Sequence, residues 1–214
     1  MKNVNGWWFP DKDIGVSQFV ESSGSYQKDT RSTAIKHCKG FNTALDIGGH
    51  VGLWAKDLAK LFKRVEVFEP YSLHLECLYK NIEGCTNIFV NQCGLGSEVH
   101  DTYIRIPNEK CSGGAKVNIS ENHADCEKIK IRVLDNRKFT TKIDFIKIDV
   151  EGYETFVLEG ARNTIMEHKP VICVEQKKGY EEYNIPRKKL PKLLKSFGMV
   201  PITNVRDDFI WGWE

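Results

Sequence analysis

The sequence predicts an α/β protein: a doubly wound, mostly parallel sheet with helices on both faces. Three observations carry this. Beyond about residue 40, short apolar runs alternate with segments whose apolar residues recur at helical spacing. Regular alternation of strand and helix implies parallel pairing, with helices covering both sides. The chain has 214 residues, 41% hydrophobic and 28% charged, which suits one α/β domain with a sizeable core. The expected organisation is an N-terminal arm over 1–40 and a single Rossmann-like domain over 41–214.

Each element has its own signal. Residues 43–49 (TALDIGG) read as a buried strand ending in a glycine turn. Val51, Trp54, Leu58, Leu61 and Phe62 follow at helical spacing. Residues 64–70 (RVEVFEP) form a second strand stopped by its proline, and Ser72 is placed to cap a helix running to about Ile82. A third strand is expected over 87–94. Residues 98–106 and 128–134 alternate like strands and flank a glycine loop, Cys111-Ser112-Gly113-Gly114. A fourth core strand is expected at 143–150, a helix at 153–167 and a fifth strand at 171–175. A helix over 186–197 has Pro186 near its first turn. Two short strands over 199–213 turn near Arg206-Asp207-Asp208, and the stretch from Phe209 to Trp213 is read as a strand on the sheet edge.

Composition excludes several classes. A formal net charge of +2 is too small to argue for nucleic-acid binding. Arg187, Lys188, Lys189, Lys192 and Lys195 read as one solvated helix face. Seven cysteines with no C-x-x-C pair do not support a zinc site, and Cys77, Cys93 and Cys173 read as buried thiols of a reducing, cytoplasmic setting. Residues 1–6 open no apolar run, so no secretory leader is expected, and no stretch approaches the ~20 apolar residues of a membrane span.

In such sheets the ligand lies beyond the carboxyl ends of the strands, at the point where strand order reverses. The first strand ends Asp46-Ile47-Gly48-Gly49-His50-Val51-Gly52, and the second ends at Glu69. Glycine after a strand lets bare backbone approach a ligand. A carboxylate at the second strand tip can accept from ribose hydroxyls. Together they indicate an adenosine-type cofactor. The dinucleotide fingerprint needs glycine at 48, 50 and 53, where the chain has Gly48, His50 and Leu53. A nicotinamide oxidoreductase is therefore disfavoured, and a cofactor without phosphates, such as S-adenosylmethionine, is preferred.

Residues 44–54 (ALDIGGHVGLW) resemble motif I of class I methyltransferases. Residues 143–154 (IDFIKIDVEGYE), with Val157-Leu158-Glu159-Gly160-Ala161 after them, resemble the hallmark of the FkbM-type methyltransferase family. The segments 65–70, 91–96 and 170–175 fit the same pattern, so the resemblance covers roughly residues 40–176. It implies the class I methyltransferase fold, S-adenosylmethionine as cofactor and, most often, O-methylation of sugars, polyketides or other small hydroxylated molecules.

The expected cofactor contacts are these. Gly48, Gly49 and Gly52 pack under the methionine part, and Asp46 bonds loop amides or the amino group. Glu69 takes the ribose diol, Pro70 and Tyr71 border the adenine, and Cys93 and Gly94 form its other wall. Arg31, assisted by Tyr26, is a candidate for the methionine carboxylate, although a packed arm around Trp7, Trp8 and Phe9 explains that region equally well. His50 is either a turn residue with an incidental side chain or a ligand contact.

Methyl transfer to oxygen requires alignment of the acceptor and removal of its proton. Asp149, at the end of the fourth strand, and Glu151, two residues on, are the leading candidates for that base, with Glu175 third. Lys147 shares a side of the strand with Asp149. Asp149 and Glu151 can instead be caps of the next helix. The same three acids can also be ligands of Mg²⁺, a metal reading that is possible but not favoured. His37, His74, His100, His123 and His168 read as surface or structural residues. The expected partner is a small hydroxylated acceptor, possibly a sugar or glycan. A nitrogen or macromolecular acceptor, or a non-catalytic adenosine-binding domain, are the alternatives.

Overall fold

The computed structural model describes residues 1–106, 110–118, 126–176 and 183–214; His123 lies outside them. The arm opens with a hairpin, β1 (Lys2–Val4) and β2 (Trp7–Phe9). Its turn is Asn5-Gly6, both at positive φ, a two-residue connection whose twist matches the strands. Helices α1 (Gly15–Ser23) and α2 (Lys28–Ile35) follow. Phe9, Val16 and Val20 of this arm bury themselves against Val51, Leu53 and Cys77. Asn81 ties the hairpin down, accepting from Trp8 N and donating to Trp8 O.

The expected β–α alternation then begins: β3 (Thr43–Ile47), α3 (Leu53–Leu58), β4 (Arg64–Phe68), α4 (Ser72–Asn81) and β5 (Ile88–Asn91). Ser72 is the first helical residue rather than the cap. Its N–H and hydroxyl both donate to Glu127, a carboxylate that reaches the helix N-terminus from elsewhere in the chain. The third strand is shorter than expected. β5 stops at Asn91, and Gly94–Leu95 forms β6 of a second sheet with β7 (His100–Arg105), β8 (Lys116–Asn118) and β9 (Glu127–Arg132), in the order β6-β9-β7-β8. A 3₁₀ turn, Ser112–Gly114, precedes β8.

The second half supplies β10 (Ile143–Ile148), α5 (Glu154–Glu159), α6 (Arg162–His168), β11 (Val171–Glu175), α7 (Lys189–Ser196), β12 (Val200–Val205) and β13 (Asp208–Gly212). The single helix expected over 153–167 is two. At Gly160 a Cβ would stand 1.9 Å from the carbonyl oxygen of Gly96, so backbone from the small sheet touches backbone here and only glycine fits. A new helix starts at once, its first amides taken by Asp135 through Asn163 N (2.9 Å) and Thr164 N (2.8 Å).

The large sheet runs β12-β13-β11-β10-β3-β4-β5. β5, β4, β3, β10 and β11 are parallel, and β13 is antiparallel to both neighbours. Phe209–Trp211 therefore lies inside the sheet, not on its edge. Chain order reverses between β3 and β10. Leu45, Ile47, Ile146, Ile148, Ile172 and Val174 face α5, α6 and α7. Ala44, Val65, Val67, Phe145 and Cys173 face α3 and α4. No helix among the described residues is long and apolar enough to cross a membrane.

Candidate active site

Three strand tips meet at the reversal point. β3 leaves through Gly48, at φ +81°, where a Cβ would lie 1.9 Å from the carbonyl oxygen of Asp149 after β10. The two tips thus touch backbone to backbone. His50, also in the left-handed region at φ +47°, is held by its N–H donating to Glu69 Oε2 (2.8 Å). Its ring Nε2 meets Ser112 Oγ at 2.8 Å. Burial, then the neighbouring His74 and Lys147, hold the His50 imidazole well below its ordinary pKa, so the ring that pairs with the serine hydroxyl is the neutral form.

Glu69 is buried at the end of β4. Oε1 accepts from Tyr71 N (3.0 Å) and pairs with His74 Nδ1 (3.2 Å). With the His50 amide, three of the roughly four lone-pair positions of the carboxylate are taken, which leaves room for about one further donor. The other His74 nitrogen meets the carbonyl oxygen of Ser112 at 3.0 Å. The sequence reads His74 as a surface or structural residue, and the structure buries it. The available signal was its place in the first turn of the helix that follows the Glu69 strand.

Asp46 and Lys147 pair across β3 and β10. Asp46 is fully buried, and neither carboxylate oxygen has a hydrogen-bond partner among the described residues. Burial pushes its pKa up to about 6, against the opposing pull of Lys147. Lys147 Nζ lies 4.0 Å from Asp46 Oδ1 and 3.2 Å from Asp149 Oδ2, under the Trp54 ring. Burial alone would lower the lysine pKa; Asp149, Asp46 and Asp208 together hold it above the ordinary value.

Carboxylate oxygens of Asp149, Glu151 and Glu175 lie within 4.8 Å of one another, a grouping able to hold a metal ion. At the start of α5 the Tyr153 cap makes no side-chain bond, and Glu154 Oε1 accepts from Val150 N (3.2 Å) and Gly152 N (3.0 Å). That grip holds the loop in which Glu151 sits at φ +53°.

Two cavities open at these tips. One, about 60 Å³, is walled by Phe68, Glu69, Pro70, His74, Gly94 and, from the small sheet, Ile104 and Ile131. The other, about 110 Å³, is walled by Tyr26, Asp46, Gly49, Trp54 and Lys147. Gly48, His50, Gly113, Asp149 and Glu151 line both and form the partition. Ser112 anchors that partition through its hydroxyl, which pairs with His50, its carbonyl oxygen, which meets His74, and its N–H, which donates to Asp13 Oδ1 (3.2 Å). The remaining expected residues stand outside these walls. Gly52 caps α3. Tyr71 lines a separate cleft with Pro10, and Cys93 packs on the core. Glu175 is in the acid cluster. Arg31 is paired with Asp57 and with Tyr26 O, and lines a wider groove beside α2.

Comparison with known proteins agrees with this fold. An FkbM methyltransferase from Methylobacillus flagellatus superposes with a TM-score of 0.53 at 22% identity, over 81% of this chain and 44% of that one, so this chain spans less than half of that protein's length. The N-methyltransferase NodS from Bradyrhizobium japonicum, solved with S-adenosyl-L-homocysteine, gives 0.55 at 10% identity over 94% and 92%. A precorrin 8w decarboxylase of Methanobacterium thermoautotrophicum gives 0.53 at 12% identity over 97% and 100%. The methyltransferase FkbM domain profile matches residues 46–198, and the chain belongs to that methyltransferase family.

Proposed function

We propose that this chain uses S-adenosylmethionine to methylate a hydroxyl, on a sugar, glycan or other small molecule. The observation that carries the cofactor reading is Asp46. Lys147 stands 4.0 Å away, too far for a hydrogen bond, and among the described residues neither oxygen of this buried carboxylate has one of full geometry, a cost that a cationic donor in the cavity would relieve. The cofactor's amino group has that chemistry, and Asp46, Gly48 and Gly49 line one cavity together. Glu69 accepts one ribose hydroxyl at its remaining position. Pro70, Gly94, Ile104 and Ile131 give the adenine apolar walls. Arg31, engaged by Asp57, fixes the Tyr26 carbonyl rather than facing the cavity. NodS, solved with S-adenosyl-L-homocysteine, shares the fold and supports the same reading.

S-adenosylmethionine supplies an electrophilic methyl group on a sulfonium. The chain's task is to hold the acceptor in line and take its proton. Asp149 lines both cavities and accepts from Lys147, so it is the proposed base. Glu151 and Glu175 border the acceptor. A ligand of this size needs roughly 300 Å³ or more. Neither cavity reaches that, so this reading requires the partition between them to open when the site fills.

Thermal unfolding with S-adenosylmethionine, S-adenosylhomocysteine and NAD tests the reading. At about a hundred times Kd, a bound ligand stabilises by ~2.7 kcal/mol, or roughly 5–10 °C for a chain of this size. A rise with the S-adenosyl compounds and not with NAD is expected; none with either compound removes the cofactor assignment. The convergence of three carboxylates favours a second reading, Mg²⁺ at Asp149, Glu151 and Glu175. A rise in Tm on adding Mg²⁺ alone, reversed by EDTA, would select it over the metal-free base.

A further inference from the structure

The small sheet has two dissimilar faces. Its inner face, with Ile104, Ile129 and Ile131, walls the first cavity. Cross-strand register fixes what lies on the other face: Asp101 opposite Lys130, Tyr103 opposite Lys128, and Arg105 opposite Lys116. Arg132, two residues beyond Lys130, falls on the same side. Among the described residues, this outer face therefore holds five cations and one acid, in a chain whose formal net charge is only +2. Lys128, Lys130 and Arg132 stand at alternate positions of β9, about 6.7 Å apart, and all three are exposed. The single acid, Asp101, is drawn below the ordinary carboxylate range by its hydrogen bond to Lys128, with Lys130 and Arg132 acting in the same direction.

We propose that the outer face of strands β9, β7 and β8 docks an acidic glycan, a chain of sugars bearing repeated carboxylate, sulfate or phosphate groups, whose methylated hydroxyl enters the cleft over the β8 edge. The proposal rests on the glycan-hydroxyl reading above and narrows its acceptor class. Regularly spaced cations on an open sheet match repeated anions on a flexible chain. β8 connects the two faces: Lys116 points outward, while Ala115 and Val117 line the first cavity. A single-stranded nucleic acid would call for several stacking aromatics. Among the described residues this face offers one, Tyr103, which suits the apolar face of a sugar ring.

The test uses a fluorescent heparin octasaccharide as probe, with a labelled oligo-dT of similar length beside it, at low and moderate salt. The proteins are the full chain and its K130E/R132E variant, both exposed positions on a strand surface. The wild type is expected to bind the heparin probe and weaken as salt rises. The variant is expected to bind it roughly tenfold or more weakly, with an unchanged thermal shift by S-adenosylhomocysteine. No binding, or equal binding by the variant, overturns the docking face even if the cofactor shift is intact. Oligo-dT bound as tightly as heparin overturns the glycan assignment in favour of nucleic acid. Loss of the cofactor shift in wild type, with heparin binding retained, would sink the methyltransferase reading and leave the anion-binding face standing.

Discussion

Replacing Asp46 with asparagine separates the stability of the fold from the demands of the site. Asp46 is raised from an ordinary 3.8 to about 6, chiefly by burial. Each unit corresponds to about 1.4 kcal/mol, so ionising this carboxylate in the folded chain costs about 3 kcal/mol. The folded state holds the proton more tightly than the unfolded state. The contribution is therefore fully present below about pH 4 and lost as pH rises through about 6. Denaturant titrations at successive pH values should show wild-type stability falling across that window. The Asp46→Asn protein does not titrate there, so its stability relative to wild type should climb by about 3 kcal/mol between pH 4 and 6 and level off above. Calorimetric titration with S-adenosylhomocysteine at neutral pH should show the opposite effect. Loss of a charge-assisted hydrogen bond of about 1.5–3 kcal/mol weakens binding by roughly 10–150-fold. Parallel stability curves together with unchanged affinity would refute the argument that an unsatisfied Asp46 waits for a cationic ligand.

Three further outcomes follow from the same geometry. Glu69→Ala removes the acceptor shared by His50, Tyr71 and His74; S-adenosylhomocysteine affinity should fall by about 1.5–3 kcal/mol in calorimetry. Glu154 is pushed up to about 7, by burial first, so it too holds its proton more tightly in the folded state and its contribution fades as pH rises from about 4.5 through 7. Glu154→Gln should flatten that part of the stability curve, and an unaltered slope would assign the titration elsewhere. Gly160→Ala places a methyl 1.9 Å from a carbonyl oxygen, and its urea midpoint should drop by an amount corresponding to at least about 2 kcal/mol.

Much of the site was legible in the chain because it hangs on backbone geometry. Glycine at the end of β3 and acids at the ends of β3, β4 and β10 are dictated by topology, and topology follows from the alternation of apolar periodicities. Residues that act through contacts distant in sequence were not legible. His74 and Ser112 meet at 3.0 Å across 38 positions, and Glu127 covers the start of α4 from 55 positions away. The break between α5 and α6 was hidden as well, since helical spacing continues through it and only the approach of Gly96 shows why Gly160 ends the helix.

By itself, the sequence determined the layered α/β architecture, the strand tips that bear the site, and the preference for an adenosine cofactor without phosphates. These are set by periodicity and by residue types that cannot do otherwise: glycine where backbone meets backbone, proline where a strand must stop. The tertiary structure decided which charges face each other. It left Asp46 without a hydrogen-bond partner among the described residues, engaged Arg31 with Asp57, gathered three carboxylates within 4.8 Å, and set five cations on one face of a sheet. Charge depends on distance and burial, and both arise only when segments far apart in the chain are packed together.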